Sequence, residues 1–372
     1  MRPTWVEIDL HAIKHNIKEI RRVTHPGAAI MAVVKANAYG HGVLPVASVL
    51  LANGATSLAV AIPEEGIYLR QQGITVPILL LGLTLPGQAE EIVRHNLTPT
   101  VATGDSAVAL ADAARRLGSS VGVFVKLDTG MHRIGLQFHE AVGFVKNLLT
   151  LQGLTVQGIF THFSMSDLQD KSYTHRQFQC FQQVVTELRN QDIDIPLKST
   201  ANSAAVSDLP ATHLDIVRPG IILYGLPPSE EVGGNLLLLP AMQFKTRVIY
   251  VKKVPPGSKI SYGGTFTTSA ETVIATLPVG YADGYNRLLS NRADVLIQGT
   301  RCPVVGRVCM DQITVDVTHL PSVAIGEEAV LFGRQGQEEI SVDEIAGILN
   351  TINYEVVCWV GDRVPRVYIN RE

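Results

Sequence analysis

The stretch Ala29-Ile30-Met31-Ala32-Val33-Val34-Lys35-Ala36-Asn37-Ala38-Tyr39-Gly40-His41-Gly42 decides the fold. Six apolar residues in a row read as a strand buried on both faces, the kind found in parallel sheets. The run ends on a lysine. Gly40 and Gly42 then mark a tight turn. Seven further apolar runs follow, at 57–62, 77–81, 98–102, 122–127, 156–161, 197–200 and 216–218. Helix-like stretches such as 105–117, 138–149 and 173–190 separate them; in the last, Phe178, Phe181, Val184, Val185 and Leu188 recur at helical spacing. Strands alternating with helices give βαβ units and a parallel sheet. Eight such units over about 200 residues predict a (β/α)8 barrel at the small end of its size range. Strand counting alone leaves a doubly wound open sheet as the alternative.

Beyond about residue 235 the rhythm changes. Runs at 245–254, 272–279, 294–297, 302–308, 312–317 and 328–332 are rich in Val, Ile and Thr, and turns such as Pro255-Pro256-Gly257, Gly263-Gly264 and Gln298-Gly299 separate them. This predicts a mostly antiparallel β domain. It contains one helix near 341–349, with Ser341 as N-cap and Glu344 three residues on. The Pro-, Ser- and Gly-rich stretch 227–235 is the expected boundary, giving a barrel over 1–232 and a β domain over 233–372.

Composition narrows the class. The 372 residues are 46% hydrophobic and 17% charged, which fits a well-buried globular enzyme. A net charge of −3 without a basic block gives no reason to expect nucleic acid or an anionic membrane as partner. Cys180, Cys302, Cys309 and Cys358 form no C-x-x-C pair, so they suggest reduced thiols rather than a metal site. The N-terminal stretch has no apolar core of signal-peptide length. No apolar run approaches the roughly 20 residues of a membrane helix. A cytoplasmic protein is expected.

Lys35 ends the first strand, so in a barrel it stands on the C-terminal face, where active sites lie. Partial desolvation there lowers a lysine's pKa and suits it to react with a carbonyl. Gly40 and Gly42 add little bulk, and Tyr39 offers a hydroxyl for a phosphate.

The segment 35–42 resembles the pyridoxal-phosphate attachment motif of alanine racemases. The likeness continues through Lys126-Leu127-Asp128-Thr129-Gly130-Met131-His132-Arg133, Thr161-His162-Phe163-Ser164, Asn202-Ser203 and Arg218-Pro219-Gly220-Ile221. It extends to Ser261-Tyr262-Gly263, Gly280-Tyr281-Ala282-Asp283, Gly306-Arg307-Val308-Cys309-Met310-Asp311 and Arg363-Val364-Pro365-Arg366. The family fold is a (β/α)8 barrel plus a β domain. The resemblance implies pyridoxal 5'-phosphate as cofactor, no metal, and interconversion of L- and D-alanine for peptidoglycan.

By the same resemblance Lys35 carries the cofactor and serves as one base, and Tyr262 is the base on the opposite face. A chain through His162 and Arg218 assists the tyrosine. Arg218 faces the pyridine nitrogen, where its donor-only guanidinium disfavours ring protonation. Tyr39, Ser203, Gly220 and Ile221 hold the phosphate, and Asn202 orients the cofactor. Arg133 and the Met310 N–H take the substrate carboxylate, an anion that an arginine fork fits. Lys126 matches a lysine often carbamylated in the family. Tyr281, Asp167, Arg287 and Arg307 match the substrate entrance. The family's active sites are shared across a head-to-tail homodimer, which places Tyr262, Tyr281 and Met310 on the partner subunit. At Asp362 some relatives carry a tyrosine reaching toward the site; a carboxylate there is expected to turn away from a phosphate. A basic amino-acid decarboxylase, a broader-specificity racemase and a non-catalytic pyridoxal-phosphate carrier are the other readings of this barrel. The motifs at Lys35 and Met310 oppose the first, and the β domain opposes the last. Pocket width, and so substrate breadth, is not legible in one sequence.

Overall fold

A computed structural model describes residues 2–370. Eight strands form one parallel sheet in the order in which they follow along the chain: Ala29–Val33, Ala55–Val60, Ile78–Leu83, Thr98–Val101, Val121–Asp128, Leu154–Phe160, Leu197–Ser199 and Ile216–Val217. The eighth strand pairs with the first, Ile216 opposite Ala29 and Val217 opposite Ile30. Between the seventh and eighth, Arg218 N donates to Ala201 O at 3.0 Å and the Ser199 hydroxyl to Ile216 O at 2.6 Å. The sheet therefore curls into a barrel, and the open doubly wound alternative is set aside. All eight apolar runs are strands. Their side chains lie on two covered faces, so they carry no polar alternation.

Helices follow the strands as the sequence predicts: Val43–Ala52, Pro63–Gln71, Ala89–Arg94, Gly104–Arg116, Ala141–Leu149, Ser172–Arg189 and Ser203–Asp208. In Gly104–Arg116 the buried set Ala107, Leu110, Ala111 and Ala114 marks one helical face. In Ser172–Arg189, Phe178, Phe181, Val184 and Leu188 are buried. Each such side chain contributes about 1.5–3 kcal/mol when fully covered.

The β unit has a six-strand path with Trp5–Asp9 between Met242–Arg247 and Arg366–Ile369, and a separate sheet of Tyr250–Val254, Thr272–Leu277 and Ile313–Asp316. Two expectations need correction. The run 245–254 is two strands in two sheets, because the chain leaves one sheet after Arg247 and joins the other at Tyr250. A second helix, Asn353–Cys358, follows Val342–Leu349, whose N-cap Ser341 accepts from Glu344 N as expected. The sheets are mostly antiparallel as expected, with Trp5–Asp9 pairing parallel to Arg366–Ile369. Contacts assign residues up to His11, Tyr39–Gly42 and the chain from Pro240 on to one compact unit, and 12–38 with 43–239 to the other. The N-terminal strand joins the β unit because its alternating buried residues Val6 and Ile8 pair with strands far along the chain. Among the described residues, no helix is long and apolar enough to cross a membrane.

Candidate active site

Immediately after the first barrel strand the backbone enters an uncommon conformation. Ala36, Asn37, Ala38 and Tyr39 have φ of 51°, 53°, 56° and 52°. A left-handed turn of non-glycine residues costs roughly 1–2 kcal/mol per residue, so it persists only where neighbours hold it. Ala38 N donates to Val34 O at 2.9 Å, and Val43 N to Asn37 Oδ1 at 2.8 Å. Ala36 N donates to Glu65 Oε1 at 2.5 Å, while the other Glu65 oxygen accepts from Ala61 N at 2.7 Å. Glu65 thus binds the Lys35 turn to the end of the second strand. Further on, a Cβ at Gly40 would lie 2.4 Å from the Val357 carbonyl, so no larger residue fits there.

The remaining barrel residues of the sequence motifs come from the same strand ends. Lys126 is buried, its Nζ donating to Leu127 O at 2.6 Å and lying 5.5 Å from the Phe160 ring centre. Arg218 is buried over the same ring at 5.1 Å. It donates to Ser199 Oγ at 2.5 Å and to Thr161 O at 2.6 Å. Burial pulls its guanidinium down to about 9, which leaves it cationic at neutral pH. Burial, then the Arg218 cation, pulls Lys126 down to about 7. His162 is held well below the ordinary histidine value, first by desolvation and then by Arg218, Lys126, Arg133 and Lys35. The charges of Arg218, Lys126, Arg133 and Lys35 thus all disfavour a proton on the buried His162 imidazole, after desolvation itself.

Arg133 is exposed, at the end of a loop set by Asp128. One Asp128 oxygen accepts from Gly130, Met131 and His132 N at 3.0, 3.1 and 3.0 Å. Ser203 Oγ accepts from Gly220 N at 2.8 Å, which leaves the hydroxyl its own hydrogen to donate beside the short helix Ile221–Tyr224. Asn202 caps the helix Ser203–Asp208, its Oδ1 accepting from Ala205 N at 3.1 Å and from Ser166 Oγ at 2.9 Å. The expected role of Asn202 toward a cofactor thus rests on a side chain already engaged in the fold.

In the β unit Tyr262 sits on the turn joining Lys259–Ile260 to Phe266–Thr267 and is 74% exposed. Beneath the hairpin Ile260, Ile274 and Val305 form a small buried cluster flanked by Val254 and Phe266. Ser261, just before it, has φ 59° and ψ −172°, a region that only glycine occupies without strain of about 1–3 kcal/mol. Tyr281 N and Ala282 N donate to the carbonyls of Cys309 and Met310 at 3.0 and 3.1 Å. Asp283 ties this turn to the C-terminal motif, accepting from Gly280 N at 3.0 Å and from Arg363 Nε at 2.7 Å. Arg363 also reaches Asp311 at 2.7 Å. Tyr281 and Arg287 line one cavity with Gly284, Asn286 and Trp359, and Arg307 lies beside Gly263. Asp167, in the barrel unit, carries its carbonyl to the Ser229 hydroxyl at 2.5 Å. Asp362 is exposed. The tyrosine that stands beside Tyr39 is Tyr354, their rings 6.2 Å apart.

The sequence matches the family description "Alanine racemase, N-terminal domain" over residues 8–228 and "Alanine racemase, C-terminal domain" over 241–368. The chain belongs to the alanine racemase family. An alanine racemase of Desulforamulus reducens is 54% identical over 369 residues, covering 99% of each chain. One of Halothermothrix orenii is 50% identical over 370 residues, covering 100% of this chain and 98% of its own. Among solved structures, an alanine racemase of Clostridium difficile superposes with a TM-score of 0.95 at 41% identity, over 99% of this chain and 96% of that one. One of Bacillus anthracis with bound L-Ala-P gives 0.93 at 40%, over 100% and 96%. Alanine racemases are pyridoxal 5'-phosphate enzymes. The residues here fit that group: the buried Arg218, a donor-only cation, and the Ser203 hydroxyl beside Gly220 for a phosphate.

Proposed function

We propose that the chain interconverts L-alanine and D-alanine with Lys35 of the barrel and Tyr262 of the β unit as its two acid/base groups. The buried Lys126 and Arg218 over the Phe160 ring, at the ends of barrel strands five and eight, carry this reading, within a chain that matches alanine racemases over its whole length. The bound cofactor supplies an electron sink that makes the α-proton of an amino acid removable. The chain supplies the rest. Lys35 holds the cofactor until substrate arrives and then moves the proton on one face at its Nζ. Tyr262 moves it on the other at its phenolic oxygen, because a single base would return the proton to the face it left.

Arg218, its guanidinium pinned by Thr161 and Ser199, would face the cofactor's ring nitrogen, where a donor-only group would disfavour protonation. Tyr39, Ser203, Gly220 and Ile221 hold the phosphate, and Asn202 flanks the cofactor. Arg133 and the Met310 N–H orient the substrate carboxylate. Lys126 reacts as its neutral amine with CO2, forming an N–C bond and releasing a proton, and the resulting carbamate pairs with Arg133.

Tyr262, Met310 and Tyr281 are 74%, 53% and 42% exposed in the single chain. Large apolar side chains exposed together favour a partner surface. A homodimer in which each β unit serves the other subunit's barrel accounts for them. A cytoplasmic location and supply of D-alanine to peptidoglycan complete the proposal. The test is D-alanine formation from L-alanine by cofactor-loaded protein, followed by chiral chromatography. Wild type should reach an equal mixture and Tyr262→Phe should not. No conversion by the loaded wild type would overturn the reading.

A further inference from the structure

Ser261 stands next to Tyr262 in the turn and has no task in the reaction above. A glycine would adopt its backbone angles, φ 59° and ψ −172°, freely. The serine side chain therefore opposes the local conformation, and its hydroxyl must supply what glycine would not. That hydroxyl donates to the Arg307 carbonyl at 2.7 Å. Cys309 Sγ lies 3.5 Å from the same oxygen and 3.5 Å from Arg307 O. With the serine hydrogen committed to Arg307, the thiol hydrogen is left to point at either oxygen, closing a three-membered polar contact. The two segments also meet without room between them. A Cβ at Gly306 would lie 2.7 Å from the Ser261 Cβ and 2.8 Å from Ile260 O. The chain leading to Met310 is thus pressed and tied to the residue that precedes Tyr262.

We propose that Ser261 is a positioning residue whose hydroxyl, bound to the Arg307 carbonyl, aims Tyr262 and fixes it relative to Met310. This rests on the reading of Tyr262 as one of the two bases. Only one face of the substrate depends on that base, so misaiming it affects the two enantiomers unequally. A change that merely loosens the fold affects both alike.

The test uses Ser261→Gly and Ser261→Ala in the holoenzyme, with Tyr262→Phe as reference, and follows deuterium entry at the α-carbon of each enantiomer by NMR. Ser261→Gly relieves the backbone strain, so its melting temperature should match or exceed wild type. Its exchange of L-alanine should still fall on the order of ten- to a hundredfold, the usual effect of a misplaced reacting group, while D-alanine exchange stays near wild type. Ser261→Ala should show the same asymmetry with lower stability. Equal losses for both enantiomers, or wild-type exchange in Ser261→Gly, overturn the proposal and leave the Tyr262 reading standing. If Tyr262→Phe itself exchanges L-alanine normally, Tyr262 is not the base, and the role of Ser261 falls with it.

Discussion

The Arg218 guanidinium donates to the Thr161 carbonyl at 2.6 Å, tying the end of the eighth barrel strand to the end of the sixth. A second nitrogen donates to the Ser199 hydroxyl on the seventh. The fork ties together the C-terminal ends of three barrel strands. Arg218→Lys keeps the charge and loses the fork. It should leave at least one buried acceptor unpaired and destabilise by about 1–3 kcal/mol, read as a lower urea midpoint with unchanged slope.

Lys126 titrates near 7 because burial, and then the Arg218 cation, disfavours its charge. An unfolded lysine titrates at about 10.4. Between those values the unfolded chain holds a proton that the folded chain lacks, so stability should rise with pH across that window and be lowest below it. In Lys126→Met the rise should vanish from the urea-unfolding series. An unchanged slope would show that Lys126 is charged in the fold.

The same neutral amine predicts carbamate formation. Wild type incubated with 13C-bicarbonate should show a carbamate carbon by NMR that Lys126→Met lacks, and Lys126→Met should bind alanine more weakly through a less well oriented Arg133.

His162 should stay neutral where free histidine titrates, around 6.5. Desolvation and four cations hold its proton affinity down. Its ring carbon shifts should not move as pH falls through that range. Loss of the Arg218 cation in Arg218→Met should bring its titration back toward the ordinary value.

Ser203 Oγ and Gly220 N meet at 2.8 Å in the proposed phosphate site. Ser203→Ala removes one hydrogen bond to a charged acceptor, about 1.5–3 kcal/mol. Cofactor affinity should fall roughly ten- to a hundredfold, with little change in turnover once the cofactor is saturating.

The parallel α/β repeat was legible because a strand buried on both faces reads as an apolar run, as in Ala29–Val33; its closure into a barrel required the Ile216–Ala29 pairing. The helix Ser172–Arg189 was legible through Phe178, Phe181, Val184 and Leu188. What escaped depends on pairings distant in sequence. Trp5–Asp9 alternates plainly, but its partners at Met242–Arg247 and Arg366–Ile369 are invisible locally. The left-handed turn at Ala36–Tyr39 escaped because nothing local in Ala-Asn-Ala-Tyr demands it, and the Glu65 carboxylate that stabilises it lies on the helix Pro63–Gln71, beyond the second strand. Tyr354, beside Tyr39, escaped because a tyrosine within a short helix reads as packing. The motif residues Lys126, Arg133, His162 and Arg218 were found through a family pattern, whereas their mutual electrostatic effect required coordinates.

The central claim is that two different residues move the α-proton on opposite faces. It is tested most directly by α-carbon exchange of L- and D-alanine in deuterated buffer, comparing wild type with Tyr262→Phe in the cofactor-loaded state. The account predicts that wild type racemises and exchanges both enantiomers, while Tyr262→Phe loses racemisation yet still exchanges D-alanine through Lys35. Racemisation at the wild-type rate by Tyr262→Phe would contradict it.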